Sequence, residues 1–163
     1  MCVSLYYLGL YINQFNVKMS EPDQATNSQE QNLLKTQEIM RILDGWGINS
    51  DAQIAVLGCQ GHIKPRDMRK YQEGMKVLPE SEDINARVEH ILGIASALHT
   101  SYPSRPEAGS AWMGQRNGKL RGRTPIQCIL QDGRRGMVKI RTTVDCSWAW
   151  QQDDEHNPVW KKT

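Results

Sequence analysis

The sequence predicts a mostly α-helical fold: a helix-turn-helix bundle followed by a small, mainly helical second domain. Apolar residues recur at three- and four-residue spacings through the middle of the chain, the period of one helix face. Capping residues and glycine stops bracket those stretches. The 163 residues, 39% apolar and 23% charged, suit one ordinary soluble domain or two very small ones.

Residues 1–17, MCVSLYYLGLYINQFNV, carry no charge. They lack the basic start of a signal peptide, and the run is too short and too interrupted to span a membrane. Translation is therefore expected to begin at Met19, whose following MSEPDQATNSQEQ has the composition of a disordered start. Residues 1–31 are expected to be a disordered or mis-assigned extension.

From Asn32 to Asp44, Leu33, Leu34, Gln37, Ile39, Met40 and Leu43, with Trp46 beyond, mark an amphipathic helix that Gly45 and Gly47 end. Asn49 or Ser50 caps a second helix, SDAQIAVLG, with Gly58 as its stop. Pro65 suits the first turn of a third, with Met68 and Tyr71 on one face and Arg66, Arg69 and Lys70 on the others; Gly74 closes it. The fourth starts at Pro79 or Ser81 and carries a stripe of Ile84, Val88, Ile91, Leu92, Ala95 and Leu98, read as core. Pro103 and Pro106 break it, and PSRPEAGSA over 103–111 reads as a linker. This places a first domain at 32–103 and a second at 111–145. In the second, Thr124 and Pro125 begin the helix TPIQCILQ, and GMVKIRTTVD is a helix or a strand, since so short a run has no decisive period. Residues 146–163 form a tail with Trp148, Trp150 and Trp160.

Charge is distributed unevenly. Residues 111–141 hold eight Lys and Arg against Asp132 alone, a net +7 in a chain of net +2, so a polyanion would meet a local patch rather than the whole surface. The four cysteines, Cys2, Cys59, Cys128 and Cys146, show no paired spacing, which predicts reduced thiols in the cytoplasm. Cys59 and His62 make half of a zinc site, but two further ligands at suitable spacing are missing, so no metal is expected. There is no phosphate-binding loop, nucleotide fingerprint, nucleophile elbow or metalloprotease motif. His90 and His99 read as ordinary helix positions, and no acid, base and nucleophile converge. An enzyme and a cofactor are not expected.

Two binding surfaces remain. If the second and third helices form a helix-turn-helix, Lys64, Arg66, Arg69 and Lys70 face the major groove and meet phosphates or guanine edges. The connection CQGHIK exceeds the three or four residues usual for that motif. The basic glycine-rich stretch AWMGQRNGKLRGRTPIQCILQDGRRGM is the other. There Asn117 and the glycines offer a turn in which positive φ is cheap, and Thr124 and Pro125 fix the helix that follows.

The order of motifs resembles the Xre/MbcA/ParS family of antitoxins from bacterial type II toxin–antitoxin pairs. IMRILDGWGINSDAQIAVLG, RKYQEGMKVLP and INARVEHILGIASALHTSYP resemble its Xre-like helical part. Trp112, Asn117, Leu120, Gly122, Thr124 and Pro125, then a glycine and Val138, resemble its toxin-binding domain. The likeness runs from about Leu33 to Val144, and its second part is the more specific. It implies a non-catalytic antitoxin that neutralises a cognate toxin, commonly a RES-domain protein that consumes NAD or a related ADP-ribosyltransferase. It also implies a homodimer that represses its own operon by binding operator DNA. The toxin-binding candidates are then Trp112 and Asn117 from the matched motif, Arg121, Arg123, Arg134 and Arg135 as forks for a partner's carboxylates, and, from aromatic chemistry rather than from the resemblance, Trp148 and Trp150 as anchors. The alternative is a stand-alone DNA-binding transcriptional regulator.

Overall fold

A computed structural model of the protein describes residues 24–145, with side chains from residue 27 onward. Seven α-helices follow one another: α1 (Gln24–Gly45), α2 (Ser50–Leu57), α3 (Met68–Gln72), α4 (Glu82–Ser101), α5 (Pro106–Trp112), α6 (Pro125–Asp132) and α7 (Arg134–Val144). Short 3-10 turns occupy Pro65–Asp67 and Gly118–Leu120. There is no strand among the described residues. The described residues from Gln31 to Asp145 belong to one compact unit, and the described part of the preceding unit is the first two turns of α1.

Local side-chain chemistry starts several of these helices. The Asn49 carboxamide oxygen accepts from the Ala52 amide at 2.9 Å, and the Ser81 hydroxyl accepts from the Ile84 amide at 3.2 Å. Thr124 and Gln127 form a reciprocal capping box. Each arrangement satisfies amides that the first turn of a helix leaves without partners.

α4 runs through the middle of the packing, touching α2, α5 and α7. Its buried stripe is Ile84, Val88, Ile91, Ile94 and Leu98. Around it lie Ile39, Met40 and Leu43 of α1, Ile54 and Val56 of α2, Ile129 of α6, and Met137 and Ile140 of α7, in one continuous cluster. Burying an aliphatic side chain of this size stabilises by about 1.5–3 kcal/mol, so this cluster is the main force holding the halves together. Polar ties finish the first half. Asp44 at the end of α1 accepts from Gln53 of α2 at 2.7 Å and from Gln72 of α3 at 3.0 and 3.1 Å. The Leu78 amide donates to the buried Thr36 hydroxyl at 3.2 Å.

Four expectations are corrected. Residues 24–31 are helical rather than disordered, because QATNSQEQ contains no glycine or proline and its Ala, Gln and Glu are good helix formers. Leu34 is 59% exposed, whereas Thr36 is buried. On α4 the buried residue is Ile94, with Leu92 and Ala95 only half-buried. The linker 103–111 is largely helix α5: Pro106 occupies its first turn, where a missing N–H costs nothing.

The segment GMVKIRTTVD resolves as helix through α7. Gly136, Met137 and Ile140 share its buried face, and packing of that face overrides the alternating pattern. The Thr142 and Thr143 hydroxyls donate back to carbonyls of their own helix. Only Gly133 separates α6 from α7, at φ 59 and ψ −134, a conformation open essentially to glycine alone. Beyond that corner, a Cβ on Gly136 would stand 2.2 Å from the Cys128 carbonyl oxygen. The two helices therefore touch backbone to backbone.

Candidate functional site

The first basic region surrounds α3. Lys64 is extended before the Pro65–Asp67 turn, and α3 itself spans five residues, about 7.5 Å at the helical rise. Met68 and Tyr71 bury its inner face. Lys64, Arg66, Arg69 and Lys70 are all exposed. Two of them are held locally: Arg69 pairs with Glu73 at 3.1 Å and Lys70 with Asp67 at 2.7 Å. The Lys70 hydrogen bond holds the Asp67 carboxyl below the usual carboxylate range. Such exposed pairs add little stability, but they neutralise part of the charge that would meet a phosphate.

Between α2 and that turn, seven residues make a connection knotted at Cys59, whose carbonyl accepts from the His62 and Ile63 amides at 3.0 and 3.1 Å. The Cys59 thiol is buried, and burial pushes it up to about 11. His62 is exposed, so the two side chains of the half-site lie in different environments. Among the described residues no three His, Cys, Asp or Glu side chains converge to hold a metal.

The second region is the loop from α5 to α6 together with the α6–α7 corner. Asn117 organises the loop with its amide, carbonyl and side chain at once. Its amide donates to the Arg123 carbonyl at 3.1 Å, and its carbonyl accepts from Leu120 and Gly122 at 3.0 Å each. Its side-chain oxygen accepts from the Lys119 amide at 2.9 Å. Leu120 plugs the loop into the core at 0% exposure, and the Ile126 amide donates to the Met113 carbonyl at 3.2 Å across the loop's base. Positive φ falls at Gly122, as glycine permits, and at Arg121 rather than Asn117, which is extended at φ −126. Arg121 has φ 58 and ψ 38. For a residue with a Cβ that left-handed conformation costs about 1 kcal/mol.

The arginines expected to face a partner divide into two groups. Arg123 forks onto Asp132 at 3.1 and 2.7 Å and onto Gln131 at 3.0 Å, clipping the loop to the end of α6. That pairing holds the Asp132 carboxyl low and raises the Arg123 guanidinium. Arg134 pairs with Asp83 of α4 at 3.6 Å. Asp83 also accepts from Arg87 at 2.6 Å, and Arg87 reaches the Val56 carbonyl of α2 at 3.1 Å. By contrast, Arg116, Lys119, Arg121 and Arg135 are exposed and make no ion pair among the described residues. Trp112 is half-buried against the core at the end of α5. Trp148 and Trp150 lie outside the described residues.

Where α7 crosses α4, a Cβ on Gly93 would sit 2.5 Å from the Arg141 guanidinium carbon, so the glycine leaves room for that side chain. Arg141 also approaches Asp145 at 4.0 Å. Half-burial, then the charge of Arg141, lowers the His90 pKa below the ordinary histidine value; Arg134 adds to the effect and Glu89 opposes it.

Sequence reasoning missed Asp83, Arg87 and Asp132 as the carboxylates and guanidinium that fasten this region. The one available signal was Asp132, the lone acid in a segment of eight cations. No known protein family, curated protein or solved structure matches the chain. Among the described residues, no helix is long and apolar enough to cross a membrane.

Proposed function

We propose that the chain is a non-catalytic antitoxin of a type II toxin–antitoxin pair. It binds and neutralises a cognate toxin, either NAD-consuming and RES-type or ADP-ribosylating. The observation that carries this reading is the loop between α5 and α6: internally pinned, yet presenting Arg116, Lys119 and Arg121 without ion-pair partners among the described residues. A preordered surface loses little entropy on association, and arginine forks suit carboxylates on a partner. The motif order around Trp112, Asn117, Leu120, Gly122, Thr124 and Pro125 supports the same assignment. Here α2 and α3 take the helix-turn-helix part, through which a homodimer represses its own operon.

Co-expression with the product of the adjacent reading frame tests the proposal. Growth rescue and co-purification are the expected outcome; a chain that does neither sinks it. The stand-alone regulator reading draws on the basic segment from Arg116 to Arg141, with the exposed Lys64, Arg66, Arg69 and Lys70 as the groove-facing cations where α3 also meets DNA. Each phosphate contact steepens the salt dependence of DNA affinity. An operator-binding slope unchanged by Arg69→Ala with Lys70→Ala would remove α3 from any DNA contact.

A further inference from the structure

We infer that Arg121 is the specificity-determining residue of the partner surface, and that it reads a carboxylate on a protein partner. The inference rests on the antitoxin reading above. Arg121 stands in the left-handed region at φ 58, and its place in the loop uses its backbone alone: its amide donates to the Gly118 carbonyl at 3.0 Å. Its side chain is exposed and makes no ion pair among the described residues. A glycine would serve this turn with less strain, as Gly122 does next to it. A strained conformation with no compensating side-chain contact among the described residues points to a role outside them.

Two residues further on, Arg123 shows what a guanidinium here does when a carboxylate is within reach, forking onto Asp132 at 3.1 and 2.7 Å. Arg121 offers the same planar fork, flanked by the exposed Arg116 and Lys119. The Asn117 hydrogen bonds fix the backbone that carries it. A fixed fork on a tight turn suits one directional carboxylate contact. Tracking a nucleic-acid backbone instead calls for cations spread along a groove or helix.

The test uses the full chain, the product of the adjacent reading frame and a 30-base-pair duplex of the chain's own promoter, about three helical turns and so room for two half-sites. Arg121→Gly should raise the melting temperature by a few degrees through strain relief while weakening binding to the protein at least about tenfold. Arg121→Lys should recover only part of that loss, since it keeps the charge but not the fork. Binding of Arg121→Gly at wild-type affinity overturns the inference and leaves the antitoxin reading standing. An unchanged or lower melting temperature removes the strain argument and overturns it as well. Loss of affinity for the duplex alone assigns the surface to phosphate and also overturns it. If the wild-type chain itself does not bind the neighbouring product, the antitoxin reading fails, and the inference falls with it.

Discussion

The two basic regions are built differently. Around α3, Lys64 and Arg66 precede a five-residue helix, and Arg69 and Lys70 on it are satisfied by carboxylates four and three residues away. Between α5 and α7 two pairs join separate elements, Arg123 of the loop to Asp132 at the end of α6 and Arg134 of α7 to Asp83 of α4, and they fasten a loop and a helix end to the rest of the unit. Arg116, Lys119, Arg121 and Arg135 are left exposed. Pairing within one short segment blunts a charged surface, whereas pairing between elements braces one and leaves its other charges available.

The largest expected effect comes from the brace itself. Gly136→Ala places a methyl group against the Cys128 backbone, where no flexible side chain can yield. It should destabilise by about 3 kcal/mol through overpacking. Gly61, in the connection before α3, has φ 82 and open space around it, so Gly61→Ala should cost only about 1 kcal/mol of backbone strain. Urea denaturation of the two variants checks the contrast, and equal costs would erase it.

Next in size is Asn117→Ala, which removes the acceptor for the Lys119 amide. A lost cap of this kind costs about 1 kcal/mol. Hydrogen exchange should quicken at Lys119 while the α3 amides keep wild-type rates. Acceleration spread evenly over both regions would show that the loop is not an independently pinned element.

A smaller effect should follow pH. The His90 pKa is lower in the folded chain, so on acidification the unfolded chain takes up that proton first. Stability then falls as pH drops through the ordinary histidine range, and it stays reduced below the folded pKa. His90→Gln should flatten the melting temperature between pH 8 and 5 relative to wild type; identical profiles would dismiss the effect. The carboxylates act lower down. The folded pKa values of Asp67 and Asp132 are depressed, so the stability each supplies is complete above the ordinary carboxylate range and is lost as pH falls through the folded value. Smallest of all, Arg69→Ala with Lys70→Ala should move stability by no more than about 0.5 kcal/mol.

What the sequence made legible was local. The Asn49, Ser81 and Thr124 caps and most of the α4 stripe depend on residues within a turn or two of each other. Pro106 was misread because proline looks the same in sequence whether it ends one helix or begins the next. The Arg134–Asp83 pair could not be read, since its partners meet only after α7 packs on α4. Nor could the strained turn: whether Arg121 or Asn117 takes positive φ is settled by where Leu120 must bury.

The single-residue connection at Gly133 also has a bearing on time. Contacts between α6 and α7 are short in sequence, and Arg123 and Asp132 are close along the chain too, so this hairpin and its clip need little loop closure to form. Docking the hairpin on α4 brings together residues about fifty positions apart, as Asp83 and Arg134 are. By the logarithmic closure law that costs roughly 2 kcal/mol more in chain entropy than a tenfold shorter loop. The α6–α7 corner should therefore assemble early as a local unit and dock late. In unfolding, its detachment from α4 should come before its own melting.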